Sequence, residues 1–344
     1  MIYFNCDYNE GAHPKVMEML LNTNMEQTCG YGEDMYCEKA RKLIKQKCNN
    51  QDVDVHFVVG GTMANITAIS AALRPYQGII CSDMGHIHTH ETGSIEALGY
   101  KILNVQTDDG KLTAKQINNI CKMHYQDVNY EHTVQPKMVY ISNPTEVGTI
   151  YTKNELDQLY CVCREYDLYL YMDGARLGYG LCAKNSDLDL GTIASFCDVF
   201  YIGGTKQGAL FGEALVISNQ SLKKDFRYIL KQKGGLLAKG RLLGIQFIAL
   251  FENDLYFQLA QHANRMALMI KEACMQNDIP LLYDSYTNQQ FPVIPNRKIH
   301  KINGKYEYIL WESVDQKQTA IRICTSWATE EENVNKLIKD LYYL

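Results

Sequence analysis

Val55-His56-Phe57-Val58-Val59-Gly60-Gly61-Thr62-Met63-Ala64-Asn65 decides how the rest of this sequence is read. Five residues, four of them apolar, run without the polar alternation of a half-exposed strand. That pattern belongs to a strand covered on both faces. Two glycines break the run, and a helical pattern follows over Thr62 to Leu73. Buried strand, glycine turn and amphipathic helix then recur downstream. The strand candidates are Gly78–Cys81, Tyr100–Val105, Lys137–Ile141, Leu168–Met172, Asp198–Ile202 and Ala214–Ile217. Helical candidates lie between them at Thr113–Met123, where Thr113 and Gln116 fit a capping box, and at Lys153–Tyr166. Alternating strands and helices predict an α/β domain with a mostly parallel central sheet sandwiched by helices.

After about residue 250 the rhythm changes. A long helical stretch, Leu255–Met275, leads to strand-like pieces at Gln290–Ile294, Glu307–Leu310 and Ala320–Cys324, and a helix over Glu330–Leu341 follows. At 344 residues the chain exceeds one typical hydrophobic core. We therefore expect a large domain over 1–250 and a smaller α+β domain over 251–344. The net charge of −5, with no dense basic stripe, argues against a nucleic-acid partner. The Lys39–Lys47 region has helical spacing and reads as a solvated face. Leu242–Phe251 is too short to span a bilayer, which argues against a membrane partner. The twelve cysteines form no CxxC pair, and no basic and apolar leader pattern opens the chain. Free thiols and a cytoplasmic location are the expectation.

Ligands of open α/β sheets sit at the carboxyl ends of strands. The polar residues that follow each apolar run are therefore the candidates. Gly60-Gly61-Thr62 opens a helix and could cradle a phosphate on unpaired amides, or could be a plain turn; it matches neither GxGxxG nor GxxxxGK[ST]. Asp173-Gly174-Ala175-Arg176 follows Leu168–Met172. A carboxylate there needs a cation, either a protonated ring nitrogen or Arg176. Gly203-Gly204-Thr205-Lys206-Gln207-Gly208 places a lysine among small residues. Desolvation would make it a nucleophilic amine; otherwise it is a surface lysine. His86-Ile87-His88-Thr89-His90-Glu91 could bind a metal, but no Cys or carboxylate set completes a zinc pattern. The alternative is one imidazole stacked on a flat ring.

In this order these elements resemble the threonine aldolase and aromatic β-eliminating lyase family of pyridoxal-phosphate enzymes, over nearly the whole chain. The resemblance implies the fold type I of aspartate aminotransferase, with pyridoxal 5′-phosphate held covalently by Lys206. It implies phosphate binding by Gly61 and Thr62, ring stacking by His86 and pairing of the ring nitrogen with Asp173. Arg176 and Thr205 would lie beside the cofactor, and Lys231 and Lys239 would reach a neighbouring subunit's phosphate. Arg322 and Arg176 would take the substrate carboxylate. Cys6, Tyr36 and Glu91 would border the substrate, with residues 1–30 close to the site. A homodimer or homotetramer with shared sites is implied. The implied reaction is cleavage of threonine or allo-threonine to glycine and acetaldehyde, with another β-eliminating lyase or an aminotransferase as alternative. A silent binding protein and a metal protein using His86, His88 and His90 are the readings from other classes. One departure stands out. Many threonine aldolases carry a histidine after the strand matching Met138–Ile141. Here the loop reads Ser142-Asn143-Pro144-Thr145-Glu146-Val147-Gly148. Glu146 could act as a base if buried, or be a turn residue.

Overall fold

A computed structural model describes residues Met1 to Tyr343. A two-residue strand β1 (Ile2–Tyr3) precedes the sheet strands β2 (Asp54–Val58), β3 (Gln77–Ser82), β4 (Lys101–Val105), β5 (Gln135–Ser142), β6 (Tyr169–Asp173), β7 (Val199–Gly203) and β8 (Glu213–Ile217). Seven of these form one sheet in the order β2-β8-β7-β6-β5-β3-β4. The five strands from β4 to β7 are mutually parallel; β8 runs antiparallel to both β7 and β2. Successive residues of each strand feed opposite cores. Val139 and Ile141 enter the core under the helices Met35–Lys47, Lys153–Glu165 and Arg241–Phe251. Met138 and Tyr140 enter the core under Gly61–Ala72. Both faces are thus covered, which is why the runs show no polar alternation.

Strand and helix edges fall within two or three residues of the sequence reading. Thr113 forms the capping box with Gln116. The apolar Leu242–Phe251 run is a buried helix, Arg241–Phe251, packed against Met35–Lys47. Gly244 lets the two backbones meet: a Cβ there would lie 2.6 Å from the Cys37 amide nitrogen. Among the described residues no helix is long and apolar enough to cross a membrane.

The helix Leu255–Gln276 and the helix Glu331–Leu341 pack with the strands β9 (Gln289–Gln290), β10 (Val293–Pro295), β11 (Tyr306–Glu307), β12 (Ile309–Ser313) and β13 (Gln318–Cys324). Strand β13 pairs antiparallel with β9, β10 and β12. Two expected single strands are each broken in two. Pro292, which has no N–H for a ladder, interrupts Gln290–Ile294. Tyr308 marks a change of partner, from β1 for β11 to β13 for β12. Phe4 is buried with Ile270, Ile321, Ile323, Val334 and Leu337 in a core separate from the large sheet. The N-terminal segment therefore enters this smaller core before it passes to the sheet's edge.

Because β8 is reversed, its first residue sits at the same edge as the last residues of the parallel strands. Glu213 is registered beside Val58 and Gly203, and Ser142 beside Asp173.

Candidate active site

A cavity of about 300 Å³ opens at that edge. Its wall takes Gly61 and Thr62 from the β2 turn, His86 from beyond β3, Ser142 from the end of β5 and Glu146 from beyond it, Asp173 from the end of β6 and Arg176 from beyond it, and Thr205 and Lys206 from beyond β7. Residues up to 145 apart in sequence are brought together because each follows a neighbouring strand.

Asp173 is buried, and four donors fix it. The Tyr140 hydroxyl donates to Oδ2 at 2.6 Å and the Tyr201 hydroxyl to Oδ1 at 2.6 Å. Asn65 Nδ2 donates at 3.3 Å and the Ala175 amide at 3.0 Å. Burial first, and the charge of Asp173 second, push both phenols well above the ordinary tyrosine range, so they stay donors. An ion pair of Asp173 with Arg176, one of the two sequence expectations, is not formed. Arg176 instead grips buried Asp7 in two hydrogen bonds of 2.7 and 3.0 Å. Asp7 Oδ2 also accepts from Asn288 Nδ2 at 2.9 Å.

Lys206 lies on the tight β7–β8 turn, half-buried, with Nζ 6.0 Å from the centre of the Tyr8 ring. Among the described residues it has no salt-bridge partner, and it lies on the cavity wall and not on an open surface loop. Burial, and then the Arg176 charge, lower its pKa and favour the neutral amine. The turn itself is tied down by Glu213. Its Oε2 accepts from the Gly204 amide at 2.7 Å and its Oε1 from the Thr205 hydroxyl at 2.9 Å. Burial raises the Glu213 carboxyl to about 7.

The His86 ring hydrogen-bonds Glu91 through Nδ1 at 2.8 Å. Burial works against its charged form, but the Glu91 hydrogen bond and the Asp173 and Glu91 charges outweigh it, and the pKa is raised. Asn65 Nδ2 bridges Glu91 at 2.6 Å and Asp173, so one amide orients both carboxylates. His88 and His90 point to solvent; among the described residues no group of three His, Cys, Asp or Glu side chains could hold a metal ion.

The Gly60-Gly61 turn leaves the helix Gly61–Ala72 without a side-chain cap, so its first amides are free for an anion. A Cβ on Gly61 would stand 2.9 Å from the Tyr201 hydroxyl, so the backbone comes this close only with glycine. Uncapped amides, a buried carboxylate ringed by donors, a desolvated lysine and one imidazole together fit a flat, phosphorylated, protonated ring such as pyridoxal phosphate.

Six other expected residues stand outside the cavity wall, among them Lys231, whose Nζ lies over the Tyr31 ring. Glu91 lies one layer behind, spent on His86, Asn65 and Ser94. Cys6 is buried and donates to Asn9 Oδ1. Arg322 donates to the Asn5 carbonyl at 2.9 Å and lies over the Trp311 ring. Tyr36 directs its hydroxyl to Glu26, and Lys239 is exposed. Sequence reasoning missed Tyr140, Tyr201, Asn65 and Glu213. Tyr140 and Tyr201 carried a signal, since a phenol inside a buried strand needs a partner. Glu213 carried none for a search of strand ends, because it begins its strand.

The comparisons with known proteins agree with this geometry. The profile of the family described as beta-eliminating lyase matches residues 7–296. The chain is 32% identical to the low specificity L-threonine aldolase of Pseudomonas aeruginosa, over 98% of this chain and 96% of that one. A Leishmania major threonine aldolase structure superposes with a TM-score of 0.97 at 44% identity, covering 100% of this chain and 99% of that one. A Thermus thermophilus aspartate aminotransferase matches with a TM-score of 0.73 at 14% identity, over 100% of this chain and 91% of that one, which speaks for the fold alone. The chain has the fold type I of aspartate aminotransferase and belongs to the β-eliminating lyase family.

Proposed function

We propose that this chain is a pyridoxal-phosphate-dependent carbon–carbon lyase that cleaves β-hydroxy-α-amino acids, turning threonine or allo-threonine into glycine and acetaldehyde. The observation that carries the reading is the meeting of Lys206, Asp173, His86 and the Gly61–Thr62 helix start around one cavity. The names of the Pseudomonas and Leishmania relatives favour the aldolase over the other lyase and aminotransferase chemistries of the same fold.

When bound, the cofactor supplies an electron sink at the substrate's α-carbon. The chain does the rest. Lys206, its pKa lowered by burial, would offer Nζ as the covalent attachment point. Asp173, kept in place by two phenols and two amides, would hold a proton on the ring nitrogen. His86, oriented through Glu91, covers a ring face. The Gly61 and Thr62 amides, with the Thr205 hydroxyl nearby, take the phosphate. Arg176 presents a planar guanidinium suited to a carboxylate, with Arg322 as its proposed partner. Tyr36, Cys6 and Lys239 are assigned to the rim of the site, Lys239 toward a second subunit's phosphate in a homodimer or homotetramer. We take residues 1–250 as the cofactor-binding domain and 251–344 as the small domain. The twelve cysteines, all free, suit a reducing cytoplasm.

The test is direct. Purified protein given pyridoxal phosphate is expected to turn yellow and to lose that colour on borohydride reduction. With threonine or allo-threonine it is expected to release glycine and acetaldehyde. Ammonia with a keto acid, or amino transfer to an added keto acid, would assign the chain to one of the alternatives.

A further inference from the structure

Resting on the aldolase reading, we propose that Glu146 is the general base for the β-hydroxyl proton of the substrate. Among the carboxylates, the imidazole and the amine at the cavity, all but one are committed. Asp173 is saturated by four donors. Glu213 spends one oxygen on the Gly204 amide and the other on the Thr205 hydroxyl. Glu91 is behind the wall. His86 is bound to Glu91 through Nδ1, and its ring is assigned to the face of the cofactor. Lys206 is reserved for the cofactor.

Glu146 differs from all of these. Its Oε1 is anchored twice, by the His86 amide at 2.9 Å and the Ser142 hydroxyl at 2.8 Å. Among the described residues no other residue bonds Oε2, and the side chain lines the cavity. One oxygen fixes the carboxylate and the other is free to work. Burial, opposed by the Ser142 hydrogen bond, and the nearby Asp173 charge raise its pKa, which brings the base closer to a working pH near neutrality. His86, Asp173, Arg176, Lys206 and Glu213, with the phenols of Tyr8 and Tyr201, are the charged and titratable groups that share the cavity wall with it.

The step balances as follows. Glu146 Oε2 takes the β-hydroxyl proton. The O–H electron pair becomes the second carbon–oxygen bond of the aldehyde as the Cα–Cβ bond breaks. The Cα–Cβ pair stays with Cα, where a proton relayed from water through Lys206 Nζ quenches it. Lys206 and Glu146 then re-equilibrate with water, so no proton is gained or lost overall.

Glycine provides the discriminating measurement, because it has an α-proton and no β-hydroxyl. Glu146→Gln keeps an oxygen for the two anchoring donors and removes the base. In the holoenzyme, threonine cleavage is expected to fall about 10²-fold or more. Exchange of the glycine α-proton into deuterated water, followed by proton NMR, is expected to stay within about threefold. The cofactor dissociation constant, from absorbance titration, and the thermal midpoint are expected to match wild type. Glu146→Asp, which keeps a shortened carboxylate, is expected to fall between the two. Threonine cleavage by Glu146→Gln at a near-normal rate would overturn the proposal. So would a parallel loss of glycine exchange or of cofactor binding, which would make the residue structural. A wild-type enzyme that exchanges glycine but leaves threonine intact would overturn the aldolase reading and this one with it.

Discussion

Replacing Glu213 by glutamine should uncouple the stability of the β7–β8 turn from pH. Glu213 is 4% exposed, and burial raises its carboxyl from 4.5 to about 7. The folded chain therefore binds a proton that the unfolded chain gives up. Below pH 4.5 both states are protonated and nothing is lost. Between 4.5 and 7 the folded state loses ground as the unfolded carboxyl ionises. Above 7 both are ionised and the full penalty stands. A rise from 4.5 to about 7 corresponds to about 3 kcal/mol. Glutamine cannot ionise, yet its oxygen can accept from the Gly204 amide while its amide donates to the Thr205 hydroxyl. The stability difference between Glu213→Gln and wild type should thus move by about 3 kcal/mol in favour of the variant from pH 4.5 to pH 8. Urea unfolding of the cofactor-free proteins, followed by circular dichroism at one protein concentration, measures this. A difference that stays flat across the pH range would refute the claim that Glu213 titrates near neutrality in the fold.

Lys206→Ala should abolish the visible band of bound cofactor and all turnover while far-ultraviolet dichroism is unchanged; a surviving band would move the attachment point elsewhere. Asp173→Asn should keep the cofactor bound but lower turnover about 10²-fold or more, since it removes a preorganised charge; near-normal kcat would leave Asp173 a purely structural role. Asp7→Ala strands the buried Arg176 guanidinium without a partner. It should cost about 3–5 kcal/mol in urea unfolding, and a loss below 1 kcal/mol would mean that the pair is relaxed by water. The Asp7 carboxyl sits below its ordinary value: burial would raise it, but the charges of Arg176 and Lys206 prevail. This stabilisation is therefore present above pH 3.8 and fades as the pH falls below it.

The large sheet was legible because buried parallel strands and their helices each leave an unambiguous local pattern. Reading strand ends then found Gly61, Thr62, His86, Asp173, Arg176, Thr205 and Lys206, all of which line the cavity. The method works only where a strand points its carboxyl end at the site. The reversed strand β8 presents its amino end there, so Glu213 stayed invisible although it braces the lysine. Asn65 was hidden for a different reason: it is the fifth residue of a helix, and only the tertiary fold shows that it touches both Glu91 and Asp173. The small domain was read less well. Its strands are two to seven residues long and change partners at Pro292 and Tyr308, which a period-two search joins into single runs. Tyr36, Lys239, Cys6 and Arg322 rested on resemblance alone, and a single chain leaves them outside the cavity wall.

The division of labour in the cavity follows from its hydrogen bonds. Groups that must not move are over-determined, and each network crosses chain segments: Asp173 draws on β5, β7 and the Gly61–Ala72 helix, and Asp7 on Arg176 and Asn288. In a low-dielectric site such saturated carboxylates cost no reorganisation when charge moves past them. On the cavity wall, the amine of Lys206 and Oε2 of Glu146 make no hydrogen bond to another described residue. Both side chains are half-buried and face the cavity, where a ligand can reach them. The amine is the end that must form a bond and the carboxylate oxygen the end that must receive a proton, which are the two operations that splitting a β-hydroxy amino acid requires of side chains.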